Sequence, residues 1–277
     1  FMNKYAPDLS SQFKDKIIIV TGSTQGSGAE TAKLMAHRGA KGITICGRKE
    51  NEGLSVKEEI EKIGSKCIYI KADLFVEKDC RNIVELTDKT FGRVDCLANV
   101  AGFTERGTIL STTMENYDRC FNVNTRAPFI LIQDSIKIMI RENIKGCIVN
   151  VLSMAMHSGM PFLAAYSASK AALERFTQGL AQEVSSYQIA ISALSPSQVV
   201  PTPGTVFHKL VEGMDDPKGE HPDFMAKATL LLASENPTKV NGRVTYSQQI
   251  LSEFNWIANP QGRGVNPDSP GSGYAQS

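Results

Sequence analysis

The chain places a tyrosine four residues before a lysine, Tyr166 and Lys170, within the small-residue stretch AAYSASKAAL. Residues four apart lie on one face of a helix, so the two side chains should be neighbours. A phenol ordinarily titrates near pH 10, too high for easy proton exchange at neutral pH. An ammonium about 4 Å away would contribute on the order of 4 kcal/mol at intermediate dielectric, which would bring the phenol pKa near 7. The spacing is common by chance, but it predicts a proton donor for a carbonyl oxygen.

A second chemical feature is the stretch TGSTQGSG, which directly follows the apolar run IIIV at 17–20. Its glycines Gly22, Gly26 and Gly28 are spaced G-x-x-x-G-x-G ahead of a helical pattern. Elsewhere such a turn would indicate only a tight bend. Between a strand and a helix N-terminus, it lets backbone N–H groups approach a pyrophosphate, whose charge the helix dipole also favours. The position therefore predicts a dinucleotide site.

The end of the second strand bears on which dinucleotide binds. A carboxylate about 20 residues past the glycines would hydrogen-bond a ribose 2′-hydroxyl and repel a 2′-phosphate. The sequence has Gly47 and the cation Arg48 at this point. NADP(H) is therefore favoured over NAD(H), with use of both possible. The alternative is that Arg48 is an ordinary solvated charge.

These residues belong to a regular alternation of apolar runs and helical patterns. Helices are predicted at 27–38 and 51–63, where apolar residues recur at helical spacing. Strands that are apolar throughout and separated by helices predict a parallel sheet covered on both faces, a doubly wound α/β fold. The seven predicted strands are 17–20, 43–46, 67–70, 94–100, 147–152, 189–194 and 242–246.

The same pattern predicts one domain over 14–250, with an N-terminal extension at 1–13 and a C-terminal tail at 251–277. From Asn259 the tail is rich in Gly, Pro and Ser, so we expect it to be either draped over a neighbouring subunit or mobile. The segment FILIQDSIKIMI (129–140) has eight apolar residues in twelve, more than one sheet contact requires. Its second apolar face should meet either another subunit or the next helix of the same subunit.

Composition narrows the class of partner. The 277 residues include 30 basic and 29 acidic side chains, which gives no attraction to nucleic acid or an anionic membrane and favours a neutral or small substrate. Six scattered cysteines, with no C-x-x-C, argue against metal and disulfides and for a reducing, cytoplasmic location. No stretch approaches the roughly 18 apolar residues of a membrane span, and the N-terminal stretch lacks a signal-peptide core.

Five motifs in order carry a resemblance to a known family. They are the glycine turn, NVAG (99–102), NVNTRAPF (122–129), IVNVLS (148–153) and YSASK (166–170). Together they resemble the single-domain branch of the short-chain dehydrogenase/reductase family, from about residue 14 to residue 250. The resemblance implies a Rossmann fold, NAD(P)-dependent catalysis and a homodimer or homotetramer that uses 129–140 and the 166–187 helix as its contact.

The resemblance also implies roles for individual residues. Tyr166 would be the acid/base, Lys170 would lower its pKa and hold the nicotinamide ribose, Ser153 would orient the substrate oxygen, and Asn124 would anchor a proton-relay water. Tyr166 and Lys170 also count among the implied cofactor contacts, and the others are Gly22, Thr24, Gln25, Ser27, Gly28, Arg48, Asp73, Leu74, Asn99, Ala101, Gly102, Val199 and Thr202.

Two motifs depart from the family pattern. Val100 replaces the second Asn of N-N-A-G, and PSQVVPT has Ser197 in place of a glycine and Thr202 one place late. These changes put contacts to the nicotinamide carboxamide in doubt. Asp73 has an alternative reading as a simple turn residue.

The substrate pocket is expected under a lid at 201–223, which the family builds after the sixth strand. The predicted substrate contacts are Ser153, Tyr166, Phe103, Met160 and Phe207, with loop histidines His157, His208 and His221 as candidates for a polar contact. The mostly apolar wall predicts a neutral ketone or secondary alcohol. The alternative function is a non-catalytic NAD(P)-binding sensor or scaffold, which would not need the Tyr166 phenol.

Overall fold

The fold is built around one sheet of seven parallel strands. The computed structural model describes residues 11–156 and 160–266. The sheet order is β3-β2-β1-β4-β5-β6-β7. The strands are β1 (Ile17–Val20), β2 (Gly42–Gly47), β3 (Lys66–Lys71), β4 (Cys96–Asn99), β5 (Cys147–Val151), β6 (Ala190–Ser195) and β7 (Val244–Tyr246). All seven strands predicted from the apolar runs are confirmed, with ends shifted by a few residues.

Helices cover both faces of this sheet, which confirms the doubly wound fold. One face packs against α1, α2, α8 and α10, and the other packs against α3, α5 and α6. The helices are α1 (Gly26–His37), α2 (Glu50–Ile63), α3 (Glu77–Phe91), α4 (Met114–Phe121), α5 (Ala127–Arg141), α6 (Ala164–Glu183), α7 (Pro203–Phe207), α8 (Pro222–Ser234), α9 (Pro237–Val240) and α10 (Ser247–Glu253). In the described part of the chain, every helix is too short or too polar to traverse a bilayer.

The strand order reverses between β1 and β4, which lie side by side. At such a reversal, the helices that follow the two strands leave toward opposite faces and open a crevice at the carboxyl edge. The glycine turn follows β1 and the NVAG motif follows β4, so both lie at this crevice.

Helix α5 shows how its many apolar residues are used. Helix α3 of the same subunit packs against it, and its buried residues include Leu131 and Met139. Phe129 and Ile140 remain 39% and 40% exposed. The Phe129 ring lies 5.6 Å from that of Phe176 on α6. A neighbouring helix therefore covers part of α5, while one aromatic pair stays open to solvent in the single subunit.

The described part of the tail lies on its own subunit. Trp256 is buried in the core at 8% exposure. The backbone N–H of Gln261 donates to Oε1 of Gln248 at 2.8 Å, and that of Arg263 donates to the Ser197 carbonyl at 2.8 Å. Up to residue 266 the tail thus contacts its own β6 exit loop. Residues 1–10 and 267–277 lie outside the described residues.

Candidate active site

The glycine turn fits a bound dinucleotide because its shape requires glycine. Gly22 and Gly26 have positive φ angles of 63° and 56°. A Cβ on Gly28 would lie 2.3 Å from the Gly22 carbonyl oxygen, and one on Gly22 would lie 2.7 Å from Cα of Ala101. Because the glycines have no side chains, the backbone of this turn is open to close approach by phosphate at the start of α1.

Short hydrogen bonds hold the turn against the two neighbouring strands. The Ser23 hydroxyl donates to the Val20 carbonyl at 2.6 Å and accepts from the backbone N–H of Cys46 at 3.0 Å. The Thr21 hydroxyl oxygen accepts from the backbone N–H groups of Val100 and Ala101, each at 3.1 Å. The backbone at Val100 is therefore anchored although the family's asparagine is missing there.

A single cavity of about 890 Å³ runs from this turn to the residues around Tyr166. Its volume is within the usual range for ligand and cofactor sites. Most residues predicted to touch cofactor or substrate line it: Gly22, Thr24, Gln25, Ser27, Gly28, Arg48, Asp73, Leu74, Ala101, Gly102, Phe103, Ser153, Met160, Tyr166, Thr202 and Phe207.

Lys170 and Asn124 lie just behind the cavity wall at Gly102. A Cβ on Gly102 would be 3.5 Å from Nζ of Lys170 and 3.7 Å from Oδ1 of Asn124. The Lys170 amine donates to the Val151 carbonyl at 2.8 Å. Both polar groups thus reach the point where the loop after β4 passes the start of α6.

Asn124 is held by a local change of helix type. Residues Asn122–Arg126 form a π-helical turn between α4 and α5, a feature that often marks functional sites. The Asn124 side chain accepts from the backbone N–H of Phe103 at 2.8 Å and donates to the Phe103 carbonyl at 2.8 Å and to the Ser169 hydroxyl at 2.9 Å. These bonds fix the loop that carries Phe103 to the helix that carries Tyr166.

The electrostatics around Tyr166 differ from the prediction. Burial raises the pKa of the Tyr166 phenol above its usual value, and a hydrogen bond with Ser153 only partly opposes this. Burial also lowers the pKa of Lys170 to about 8. The predicted lowering of the Tyr166 pKa by Lys170 is therefore wrong for this structure. The physical reason is that both groups are desolvated, and the amine hydrogen-bonds to Val151.

Two further residues carried over from the family, Asn99 and Val199, do not line the cavity. Asn99 is 2% exposed and donates from Nδ2 to Oδ1 of Asn150 at 2.9 Å, while its own Oδ1 has no hydrogen-bond partner among the described residues. Asn150 in turn donates to the Thr177 hydroxyl at 3.0 Å. Val199 is 4% exposed, and its carbonyl accepts from the backbone N–H of Glu220 at 2.8 Å. The Asn99 side chain thus bonds inside the sheet rather than facing the crevice.

Asp73 lines the cavity and also has the turn geometry of its alternative reading. Its Oδ1 accepts from the backbone N–H of Phe75 at 3.0 Å, and Oδ2 lies 3.4 Å from the Arg119 guanidinium. That guanidinium lies 4.9 Å from the Phe75 ring centroid and 5.7 Å from the Phe103 ring centroid. Arg119, together with Glu105 and Arg106, lines the cavity but was missed from the sequence, where no motif marks them.

The segment after β6 contributes one short helix to the cavity wall. Thr202 begins α7 with a capping box: its hydroxyl accepts from the Thr205 backbone at 3.2 Å, and the Thr205 hydroxyl accepts from the Thr202 backbone at 2.8 Å. Phe207 is 80% exposed although it borders the cavity. His208 also lines the cavity, whereas His221 instead caps α8 by accepting from Asp223. The candidate His157 lies outside the described residues.

A buried carboxyl group attaches the end of this segment to the rest of the fold. Glu220 is 1% exposed, and its oxygens accept from the Ser247 hydroxyl at 2.7 and 2.8 Å and from Nε2 of Gln248 at 3.1 Å. The backbone N–H of Gln198 lies 3.4 Å away. Burial raises the pKa of Glu220 to about 7. Because glutamate is usually exposed, no pattern in the sequence marks Glu220 for this buried role.

The chain is similar to known proteins over most of its length. A family model for short chain dehydrogenase matches residues 16–208. An uncharacterized oxidoreductase of Thermotoga maritima is 38% identical over 66% of this chain and 72% of that protein. A cyclopentanol dehydrogenase of Comamonas sp. is 33% identical over 69% of this chain and 75% of its own.

A solved structure agrees with these matches. It is a provisionally assigned NAD(P)-dependent gluconate 5-dehydrogenase of Beutenbergia cavernae, with NADP bound at low occupancy. It is 28% identical, covers 86% of this chain and 97% of its own, and superimposes with a TM-score of 0.77. With the family model matching well over half of the sequence, the chain belongs to the short-chain dehydrogenase family and is an NAD(P)-dependent oxidoreductase that acts on CH–OH groups.

Proposed function

We propose that the protein transfers a hydride between NADP(H) and a ketone or secondary alcohol, with Tyr166 as the acid/base. One observation carries this proposal. Tyr166 and Ser153 line the same cavity as the glycine turn, so a dinucleotide on that turn and a substrate at the phenol share one space. Such proximity is the main requirement for hydride transfer.

In the direction of reduction, each residue has a definite task. The Tyr166 phenol gives its proton to the carbonyl oxygen, which becomes the alcohol oxygen. The Ser153 hydroxyl, hydrogen-bonded to the phenol, orients the same oxygen. Lys170, behind Gly102, offers its remaining N–H groups to the cofactor's ribose. The hydride for the carbonyl carbon would come from NADPH when it is bound in the cavity.

The Tyr166 pKa bears on the direction of the reaction at neutral pH. A phenol with a raised pKa stays protonated there and is ready to donate. Carbonyl reduction should therefore be constant through neutral pH and fall only at alkaline pH. Alcohol oxidation needs the deprotonated phenol, so its rate should rise with pH from the neutral into the alkaline range. The protonated phenol therefore favours a fast proton-donation step for carbonyl reduction near pH 7.

Support for NADP(H) comes from the adenosine end of the cavity. Arg48 is exposed, borders the cavity and makes no ion pair with any residue in 11–156 or 160–266. Its guanidinium is free to bind a 2′-phosphate, for which arginine is well suited. Gly47 precedes it, and a Cβ there would lie 2.7 Å from Cγ2 of Thr24. Any side chain at position 47, including a carboxylate, would require the Thr24 side chain to shift.

A homodimer or homotetramer is part of the same proposal. Phe129 on α5 and Phe176 on α6 are each 39% exposed, and their rings contact each other at a tilt of 51°. Aromatic pairs open to solvent are typical of subunit contacts. The two helices are those that the sequence analysis assigned to such a contact.

The test of the function is the change Tyr166→Phe. The matched control is Tyr187→Phe, because Tyr187 is 51% exposed and does not line the cavity. Turnover of ketones and alcohols is followed by nicotinamide absorbance with both cofactors. Tyr166→Phe should lower kcat by about 100-fold or more and leave NADPH binding measurable, since only proton transfer is removed. Near-normal turnover of Tyr166→Phe would contradict the assigned role.

A further inference from the structure

Three loops meet at the substrate end of the cavity. Arg106 follows β4, Phe162 follows β5, and His208 follows α7. The backbone N–H of Gly107 donates to the Phe162 carbonyl at 2.9 Å, and the Arg106 guanidinium carbon lies 5.7 Å from the Phe162 ring centroid. The charge of Arg106 also contributes, after burial, to a lowered pKa of His208. Arg106 is therefore near both of the other loops.

The backbone at Phe162 is in an unusual conformation. Its φ angle is +67°, a backbone conformation that residues other than Gly, Asn and Asp rarely adopt. Such conformations persist only when the surroundings hold them, and they cluster at ligand sites. Here the bond from Gly107 holds the Phe162 carbonyl, and the Phe162 ring supports the guanidinium of Arg106. The Arg106 guanidinium thus lies against the Phe162 ring at the cavity wall.

The charges at this end of the cavity leave Arg106 unneutralised. Arg106 makes no ion pair within the described ranges, whereas Arg119, in the same wall, is paired with Asp73. Glu105 also lines the cavity, but its effect on the His208 ring is smaller than that of Arg106. Arg106 is therefore a cation in the cavity wall without a carboxylate ion pair among the described residues.

We infer that the substrate carries a carboxylate, which Arg106 binds while the reacting oxygen lies at Tyr166. Guanidinium and carboxylate form two parallel hydrogen bonds, which gives both energy and orientation. Met160, Leu163 and Leu210 line the cavity as well and suit a hydrocarbon frame between the two polar ends. The substrate class is then an oxo or hydroxy carboxylic acid rather than the neutral ketone expected from the sequence.

The inference rests on the proposed function, and its test separates the two. Cyclic and linear oxo acids are assayed beside their primary amides, which have nearly the same shape without the charge. For the pairs that are turned over, kcat/KM should be at least about 10-fold higher for the carboxylate, mainly through KM. Arg106→Gln should abolish this preference, because it should raise KM for the carboxylates at least about 10-fold and change KM for the amides much less.

The matched control is Lys209→Gln, which removes a positive charge from an exposed position outside the cavity lining. It should keep the carboxylate preference. The inference is overturned if acids and amides are turned over equally well, if amides are preferred, or if Arg106→Gln keeps the preference. Absence of turnover for every pair with either cofactor, while NADPH still binds, would instead refute the proposed function and with it the inference.

Discussion

Replacement of Glu220 by glutamine should change how stability depends on pH. Burial raises the pKa of Glu220 from 4.5 to about 7, and every group that hydrogen-bonds its oxygens is neutral. Between these two pH values the folded protein holds one proton more than the unfolded chain does. The free energy of unfolding therefore falls as pH rises from about 4.5 to about 7.

The size of the effect follows from the same pKa values. A change of one pKa unit corresponds to about 1.4 kcal/mol. The Glu220 carboxyl group should therefore make the free energy of unfolding about 3 kcal/mol lower at pH 8 than at pH 4. Glutamine resembles the protonated carboxyl group and can keep the bonds with Ser247 and Gln248. Glu220→Gln should therefore stabilise the protein by up to about 3 kcal/mol at pH 8 and by little at pH 4 to 5.

The assay is denaturant unfolding at several pH values between about 4 and 8 at one protein concentration and without cofactor, since ligands and subunit association shift apparent stability. The control is Glu212→Gln in the same segment, where the glutamate is exposed. Titrations shared by all variants cancel in the difference from the wild type. Equal differences at all pH values, or a destabilised Glu220→Gln at pH 8, would refute the argument.

Three further predictions concern the cofactor, the turn and the assembly. Arg48→Gln should raise KM for NADPH by about 10-fold or more and leave KM for NADH unchanged; equal changes would contradict the 2′-phosphate contact. Gly28→Ala should weaken cofactor binding in a fluorescence titration, because its Cβ would overlap the Gly22 carbonyl. Gly179 lies in α6 with open space around it, so Gly179→Ala should raise the free energy of unfolding by about 0.5–1 kcal/mol. Light scattering should show a dimer or tetramer, and Phe176→Lys should give a smaller species; a monomeric wild type would contradict the Phe129–Phe176 contact.

The fold was predictable because its signals are local. Each strand is a short apolar run, and periodic helices separate the strands, so the parallel sheet followed directly. The glycine turn was also predictable, since Gly22 and Gly28 are required by backbone shape at a fixed place after β1.

The parts that could not be predicted depend on long-range contacts and burial. The pKa of Tyr166 is raised rather than lowered, because no sequence spacing states how deeply a phenol is buried. Asn99 occupies the expected position in the chain, yet its side chain turns into the sheet toward Asn150, 51 residues away. Arg106 and Arg119 belong to none of the sequence motifs, and only the folded chain brings them to the cavity.

The contact between the C-terminal segment and the β6 exit has a practical consequence for anyone handling this enzyme. A Cβ on Gly262 would lie 2.4 Å from the Ser197 carbonyl, so the segment fits tightly behind Pro196 and Val200, which border the cavity. A stop codon placed after residue 258, or proteolytic trimming to that point, would remove the outer support of this loop and loosen the pocket without touching any residue inside it.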